Sequence, residues 1–258
     1  HDSQRNTTEE LDPSKVVIVM SMGTSGSTML CDVVRNIAAS GEVSFGNELL
    51  GGKASVMSRK EDPVKTVRNY LIQQQKLHPG EMVGFKYKNY FHNDKYDELL
   101  KWISEQKIKM IYNTRNPLDR YIGTLKSADP DGKHNCPIGR SNCADKQLAI
   151  KVEVPLDGLI EKLDHEEASN TLWSARLKVA GINFLHVTYE GVVQGTMKDR
   201  INYVQKIADF LHPGYKVTEK TFSVHTEFIG HSSQRDFVTN FKALKNKLEN
   251  TRFERYLH

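Results

Sequence analysis

Residues 16–20 read Val-Val-Ile-Val-Met, an unbroken apolar run, and after a turn rich in Gly, Ser and Thr the apolar positions recur at Met29, Leu30, Val33, Val34 and Ile37. The run predicts a strand covered on both faces, and the spacing of three and four predicts a helix over 25–39. The same alternation of types continues along the chain. A helix is predicted over 62–77, opening at Pro63 and stopped by His78-Pro79-Gly80, then a strand in EMVGFKYKNYF and a helix in YDELLKWISEQ. KMIYNTR predicts another strand, and LDRYIGTLKS resumes helical spacing after Asn116-Pro117. A helix from Leu159 to Gly181, a strand in NFLHVTYE and a helix in MKDRINYVQKIADFL follow; the tail from Lys216 is polar, then helical over 236–256. SGEVSFGNELLGG is expected to be a loop or a short second strand.

Strands near residues 16, 83, 109 and 184 separated by helices predict an α/β fold: a single three-layer domain with a mainly parallel sheet and a P-loop-like phosphate-binding loop. The expected organisation is a flexible N-terminal segment over 1–14 and one domain over 15–258, with a polar insertion at 128–147 and a C-terminal tail and helix at 216–258. In such sheets ligands sit beyond the carboxyl ends of the strands, and every motif discussed below falls at a strand end.

Composition narrows the functional classes. The 258 residues are 38% hydrophobic and 26% charged, with a net charge of +4, which suits an anionic ligand and falls well short of a nucleic-acid footprint. No apolar stretch reaches the roughly 18 residues a membrane span needs. Cys136 and Cys143 bracket the loop CPIGRSNC, so a local disulfide is one expectation and two surface thiols the other; Cys31 is expected to be buried. His134 lies near that pair, but the spacing supplies no fourth ligand, so no metal site is predicted. The sequon at Asn6, the cysteine pair and a first residue other than Met lead to the expectation of a trimmed glycoprotein of the secretory pathway or Golgi lumen, with the cytoplasm as the alternative.

The candidate chemistry begins at Gly23-Thr24-Ser25-Gly26-Ser27-Thr28. A strand-to-helix turn aims backbone N–H groups and the positive end of a helix dipole at one point, and Ser25, Ser27 and Thr28 are expected to add hydroxyl donors. No Lys precedes the Ser or Thr, so the Walker pattern for magnesium nucleotides is not met. TSGSTMLCDVV resembles the 5′-phosphosulfate loop of sulfotransferases that use 3′-phosphoadenosine-5′-phosphosulfate (PAPS), most closely the carbohydrate and bacterial trehalose-type branch with its R-S-G-S-T-x-L-C pattern. That branch carries Arg, and the cytosolic branch Lys, where this chain has Thr24. Either another cation reaches in or the loop binds more weakly. Lys86 and Lys88, on one face of their strand, are the candidates, Lys86 being expected on the sulfuryl group.

YNTRNPLDRYIGTLKS resembles the family's 3′-phosphate site, R-[ND]-P-x-x-x-x-x-S. Arg115 matches its arginine, whose planar fork suits a phosphate. The family's serine is Gly123 here, leaving Thr124 or Ser127 as substitutes. FLHVTYEGVV resembles the family's Y-E-D-L segment, which implies Tyr189 near an adenine, with Glu190 anchoring the loop; Trp173 is a further stacking candidate and Arg235 a tail residue that could close over the 3′-phosphate. For the base the resemblance favours Glu48, with Glu42 and His92 as rivals; nothing singles out His225 or His231.

The resemblance implies in-line sulfuryl transfer from PAPS, with 3′,5′-bisphosphorylated adenosine (PAP) as product, to an acceptor hydroxyl of a carbohydrate or small alcohol, without a metal. The alternatives are a P-loop phosphotransferase and a catalytically degenerate relative that binds an anion or glycan. The partner is expected to be a small-molecule or glycan acceptor and not a nucleic acid, with no membrane span in this chain.

Overall fold

The computed structural model describes residues 10–38, 45–46, 49, 62–88, 94–128, 149–222 and 233–258. Its centre is β1 (Val16–Ser21), all six residues of which are buried, in accord with the unbroken apolar run. β1 lies between β3 (Val83–Lys88) and β4 (Lys109–Thr114); β2 (Phe45–Gly46) and β5 (Phe184–Thr188) complete a five-stranded sheet in the order β2-β3-β1-β4-β5. Every pairing is parallel, so all the carboxyl ends open on one edge. The fold is therefore the predicted α/β class.

Alternation along the strands divides the core between the two faces. Ile18, Met20, Phe85, Tyr87, Met110 and Tyr112 pack with Val67 and Leu71 of α2 (Pro63–Leu77), Leu99 and Ile103 of α3 (Asp94–Glu105) and Leu177 of α5 (Leu159–Val179). Val17, Val19, Ile111 and Val187 face the other way, against α1 (Ser27–Ile37) and α7 (Met197–Leu211). Burying each such side chain contributes about 1.5–3 kcal/mol, so the two faces fix the register and with it the positions of the strand ends. Cys31 lies in the second cluster, and burial pushes its thiol up to about 12.

A third cluster joins α4 (Pro117–Ala128) through Leu118 and Ile122 to Leu159 and Leu163 of α5 and to Leu244, Leu248 and Phe253 near the C-terminus. The expected single helix over 236–256 is instead α8 (Gln234–Phe237), α9 (Phe241–Leu248) and a 3₁₀ turn, Glu254–Tyr256. Val238 breaks the run by forming a parallel bridge with Val152, a pairing with a distant segment that outweighs local helical spacing. Residues 10–14, expected to fray, are docked: Leu11 is buried and Asp12 exchanges hydrogen bonds with Gln75. Trp173, a candidate for base stacking, is buried in the first core cluster. The polar insertion, apart from residue 128 at its start, and the Cys136/Cys143 pair, the Asn6 sequon, Glu42, Glu48, His92, His134, His225 and His231 lie outside the described residues.

Among the described residues no helix is long and apolar enough to cross a membrane. α4 is fixed to α5 by an ion pair between Arg120 and Glu166, both largely buried. Removing one partner strands a buried charge, so Glu166→Ala is expected to lower stability by about 3 kcal/mol in urea titration. The double change Arg120→Met with Glu166→Leu should recover most of that loss.

Candidate functional site

The loop between β1 and α1 sits at the centre of the open edge. Thr24 takes φ 56° and Gly26 φ 73°. Glycine is needed at 26 for a second reason: a Cβ there would meet the Tyr189 ring at 2.1 Å. The N-cap of α1 is Gly26, which offers no side-chain acceptor, so the N-cap residue does not itself close this helix end as a Ser would.

The loop carbonyls are accounted for one by one. Ser25 Oγ donates to the Met22 carbonyl (2.7 Å), Thr24 Oγ1 to that of Gly23 (2.7 Å), Arg115 to that of Thr24 (3.0 Å) and Asn113 Nδ2 to that of Ser25 (2.8 Å). The Gly26 carbonyl accepts the first helical bond, from Leu30 N–H at 3.2 Å. Ser25, expected to offer its hydroxyl to a ligand, spends it on the loop itself and is buried.

Two cations reach α1 from β3. Lys86 Nζ lies 3.4 Å from Thr28 Oγ1, and Lys88 Nζ lies 3.0 Å from Ser27 Oγ. The alternation that buries Phe85 and Tyr87 on one face sends both lysines to the other, beneath the helix start. A helix N-terminus is the electropositive end, so the two ammonium groups add to the positive potential that an anion would meet there.

Arg115 follows β4 on the opposite side of the loop. Its guanidinium lies 4.6 Å from the Tyr189 ring centroid, and its Nε is buried with no hydrogen-bond partner among the described residues. Asn116 caps α4 by accepting from the N–H groups of Leu118 (2.9 Å) and Asp119 (3.3 Å). Its own N–H donates to Glu190 Oε1 at 2.8 Å, and its Nδ2 to the Tyr256 carbonyl at 3.0 Å. Glu190 thus holds the Arg115 turn. Tyr189 and Glu190 open α6 (Tyr189–Val193), where a Cβ at Gly191 would strike the Tyr203 ring at 2.3 Å. Burial raises both the Tyr189 hydroxyl and the Glu190 carboxyl above their ordinary ranges; Arg115 opposes both shifts, and the Asn116 N–H opposes that of Glu190.

The structure thus brings together Gly23, Thr24, Ser25, Gly26, Ser27, Thr28, Lys86, Arg115 and Tyr189. Thr124 is exposed; its hydroxyl donates to the Arg120 carbonyl at 3.0 Å and lies 3.4 Å from Thr24 Oγ1. Arg235 is exposed and lies over the Phe241 ring, 5.7 Å from its centroid. The two departures from the sulfotransferase pattern meet in space, since a Cβ on Gly123 would touch Thr24 Cβ at 3.5 Å. The sequence does not single out Asn113, one of three polar residues in KMIYNT; only its register beside Ser21 of β1 marks it. Among the described residues no group of three or more His, Cys, Asp or Glu could hold a metal ion.

No protein-family model matches the chain, and no curated protein matches it. Among solved structures it is similar to retinol dehydratase in complex with androsterone and inactive cofactor PAP, at 18% identity over 95% of this chain and 83% of that one, with a TM-score of 0.46. It is also similar to mouse sulfotransferase SULT7A1 complexed with PAP, at 13% identity over 94% and 86%, TM-score 0.46. A complex of retinol dehydratase with retinol and PAP matches at 16% identity over 95% and 84%, TM-score 0.44. Likeness at this level bears on neither ligand nor reaction, which rest on the chain's own residues.

The raised Glu190 carboxyl gives a pH test. A folded value above the unfolded one means that ionisation costs the folded state more, so the stability gained by protonation is lost as pH rises. Glu190→Gln keeps the acceptor for Asn116 and removes the buried charge. It should raise the urea midpoint at pH 7.5, and the gain should vanish as pH falls to the ordinary Glu value near 4.3.

Proposed function

We propose that the protein is a PAPS-dependent sulfotransferase that moves a sulfuryl group to an acceptor hydroxyl of a carbohydrate or small alcohol. The observation that carries this reading is the pair Lys86 and Lys88 at the electropositive start of α1, where an anion would meet two ammonium groups and the helix dipole together. The buried, unpartnered Nε of Arg115 supports a second anion across the loop. Together they suit a ligand with two separated anionic groups, and the loop's lack of the Walker lysine argues against the phosphotransferase alternative.

In this reading the residues from Gly23 to Thr28 bind the 5′-phosphosulfate and Arg115 the 3′-phosphate. PAPS supplies, when bound, a sulfuryl group on a good leaving phosphate. Lys86 neutralises charge beside Thr28, and Tyr189 walls the site between Gly26 and Arg115. Glu48 is the proposed base for the acceptor hydroxyl, with His92 as its rival. Transfer of this kind asks the protein mainly for positioning and electrostatic support. A secretory lumen is the proposed compartment.

Calorimetric titration with PAP, beside ADP and Mg·ATP, tests the reading. Magnesium-independent binding of PAP alone is expected; preference for Mg·ATP would discard it. Arg115→Ala should weaken PAP by about 10- to 100-fold, the loss of a hydrogen bond to a charged group, and leave 5′-AMP nearly unchanged. Equal losses for both would place the 3′ site elsewhere. Glu48→Gln should spare PAP binding and abolish transfer of labelled sulfate from PAPS, and an active variant would move the base to another residue.

A further inference from the structure

Three strands contribute one polar residue each to a row beneath the phosphate loop. Ser21, the last residue of β1, is paired in register with Lys88 of β3 on one side and with Asn113 of β4 on the other. Residues paired in a parallel sheet present their side chains to the same face, here the face that carries Val17, Val19 and Ile111 under α1. All three are buried, at 5% exposure for Lys88, 0% for Ser21 and 1% for Asn113. A buried polar row is costly unless its groups are used.

Lys88 and Asn113 are used on the loop or its helix, and Ser21 accepts from Lys88. Lys88 Nζ donates to Ser27 Oγ at 3.0 Å, to Ser21 Oγ at 3.4 Å and to the Met22 carbonyl at 3.5 Å. Asn113 Nδ2 donates to the Ser25 carbonyl at 2.8 Å, while its Oδ1 is buried with no hydrogen-bond partner among the described residues. A carbonyl needs a donor, so the amide must face the loop with its nitrogen, and the orphaned oxygen is the cost of that orientation. Lys88 and Asn113 thus engage the carbonyls of Met22 and Ser25, the two residues that bracket Gly23 and Thr24.

We propose that Lys88, Ser21 and Asn113 form a buried floor that positions the phosphate loop, and that Lys88 supplies from beneath the positive charge that the loop lacks at Thr24. Asn113 is a positioning residue, acting through the Ser25 carbonyl. Lys88 acts both through the Met22 carbonyl and through its charge, set against the first residue of α1. The positioning role stands on geometry alone; the charge role rests on the sulfotransferase reading.

Two measurements separate these parts. The first is amide hydrogen exchange of the segment covering residues 20–28 in the wild type, Asn113→Ala and Asn113→Leu, with global stability followed in urea. Leu keeps the volume of the side chain and loses the donor, so it guards against a variant that does not fold. Exchange in this segment should rise about tenfold in both variants while the remaining sheet amides hold steady, the signature of local opening. Unchanged exchange would overturn the floor. The second is calorimetric titration with PAP, 5′-AMP and 3′-AMP for Lys88→Met, Lys88→Arg and Lys88→Met combined with Thr24→Lys. Lys88→Met should weaken PAP and 5′-AMP about tenfold, as removal of a charge-assisted contact does, and leave 3′-AMP unaffected. Arg at 88, or Lys returned to the loop at 24, should restore most of the loss. Wild-type affinity in Lys88→Met, or failure of both rescues, would overturn the charge role. A wild type that binds neither PAP nor 5′-AMP would defeat the sulfotransferase reading and the charge role with it, while the exchange result still decides the floor.

Discussion

A backbone carbonyl turned toward a bound anion repels it, and the site depends on how this loop disposes of five of them. From Met22 to Gly26 each has a donor: a hydroxyl, a hydroxyl, a guanidinium, an amide and the first helical N–H. Those donors come from the loop, from β4, from the residue after β4 and from α1. The parallel strand order brings them within reach, because β1 is flanked on both sides and every strand ends at the same edge. The apolar faces of the sheet set the register, and the register sets which polar residue meets which carbonyl.

Positive charge is collected in the same place. Lys86 and Lys88 rise from below, Arg115 lies across the loop, and α1 contributes its dipole. The Tyr189 ring packs between Gly26 and the Arg115 guanidinium, which keeps the two sides of the site at a fixed separation. Glu190 supplies nearby negative charge: it accepts from the Asn116 N–H, and Arg115 lowers its carboxyl against the rise that burial causes.

Much of this was legible in the chain. β1, β3, β4 and β5 followed from their apolar positions, and the turn between β1 and α1 from its Gly and Ser content. The facing of Lys86 and Lys88 followed from simple alternation. What could not be read were facts created by register between segments far apart. Asn113 is an unremarkable polar residue until β4 is laid beside β1, and Thr24 and Gly123 are separate departures until the fold sets them in contact. The C-terminal region misled for a related reason. Helical spacing over 236–256 is a local signal, whereas Val238 is taken by Val152 and Asn240 by Val154, through hydrogen bonds of 2.8 and 3.0 Å.

The last residues of the chain reach the Arg115 turn. The Tyr256 carbonyl accepts from Asn116 and from the buried Gln234, which also donates to Asp119 at 2.7 Å, and the His258 N–H returns to Gln234 at 3.4 Å. Expression boundaries chosen by sequence alone would treat these positions as disposable. A chain cut a few residues short, or fused to a purification handle in a way that pulls Tyr256 aside, would uncap a turn more than a hundred residues upstream. Its product could be soluble and well folded by every spectroscopic measure, and still be the wrong protein in which to look for a ligand.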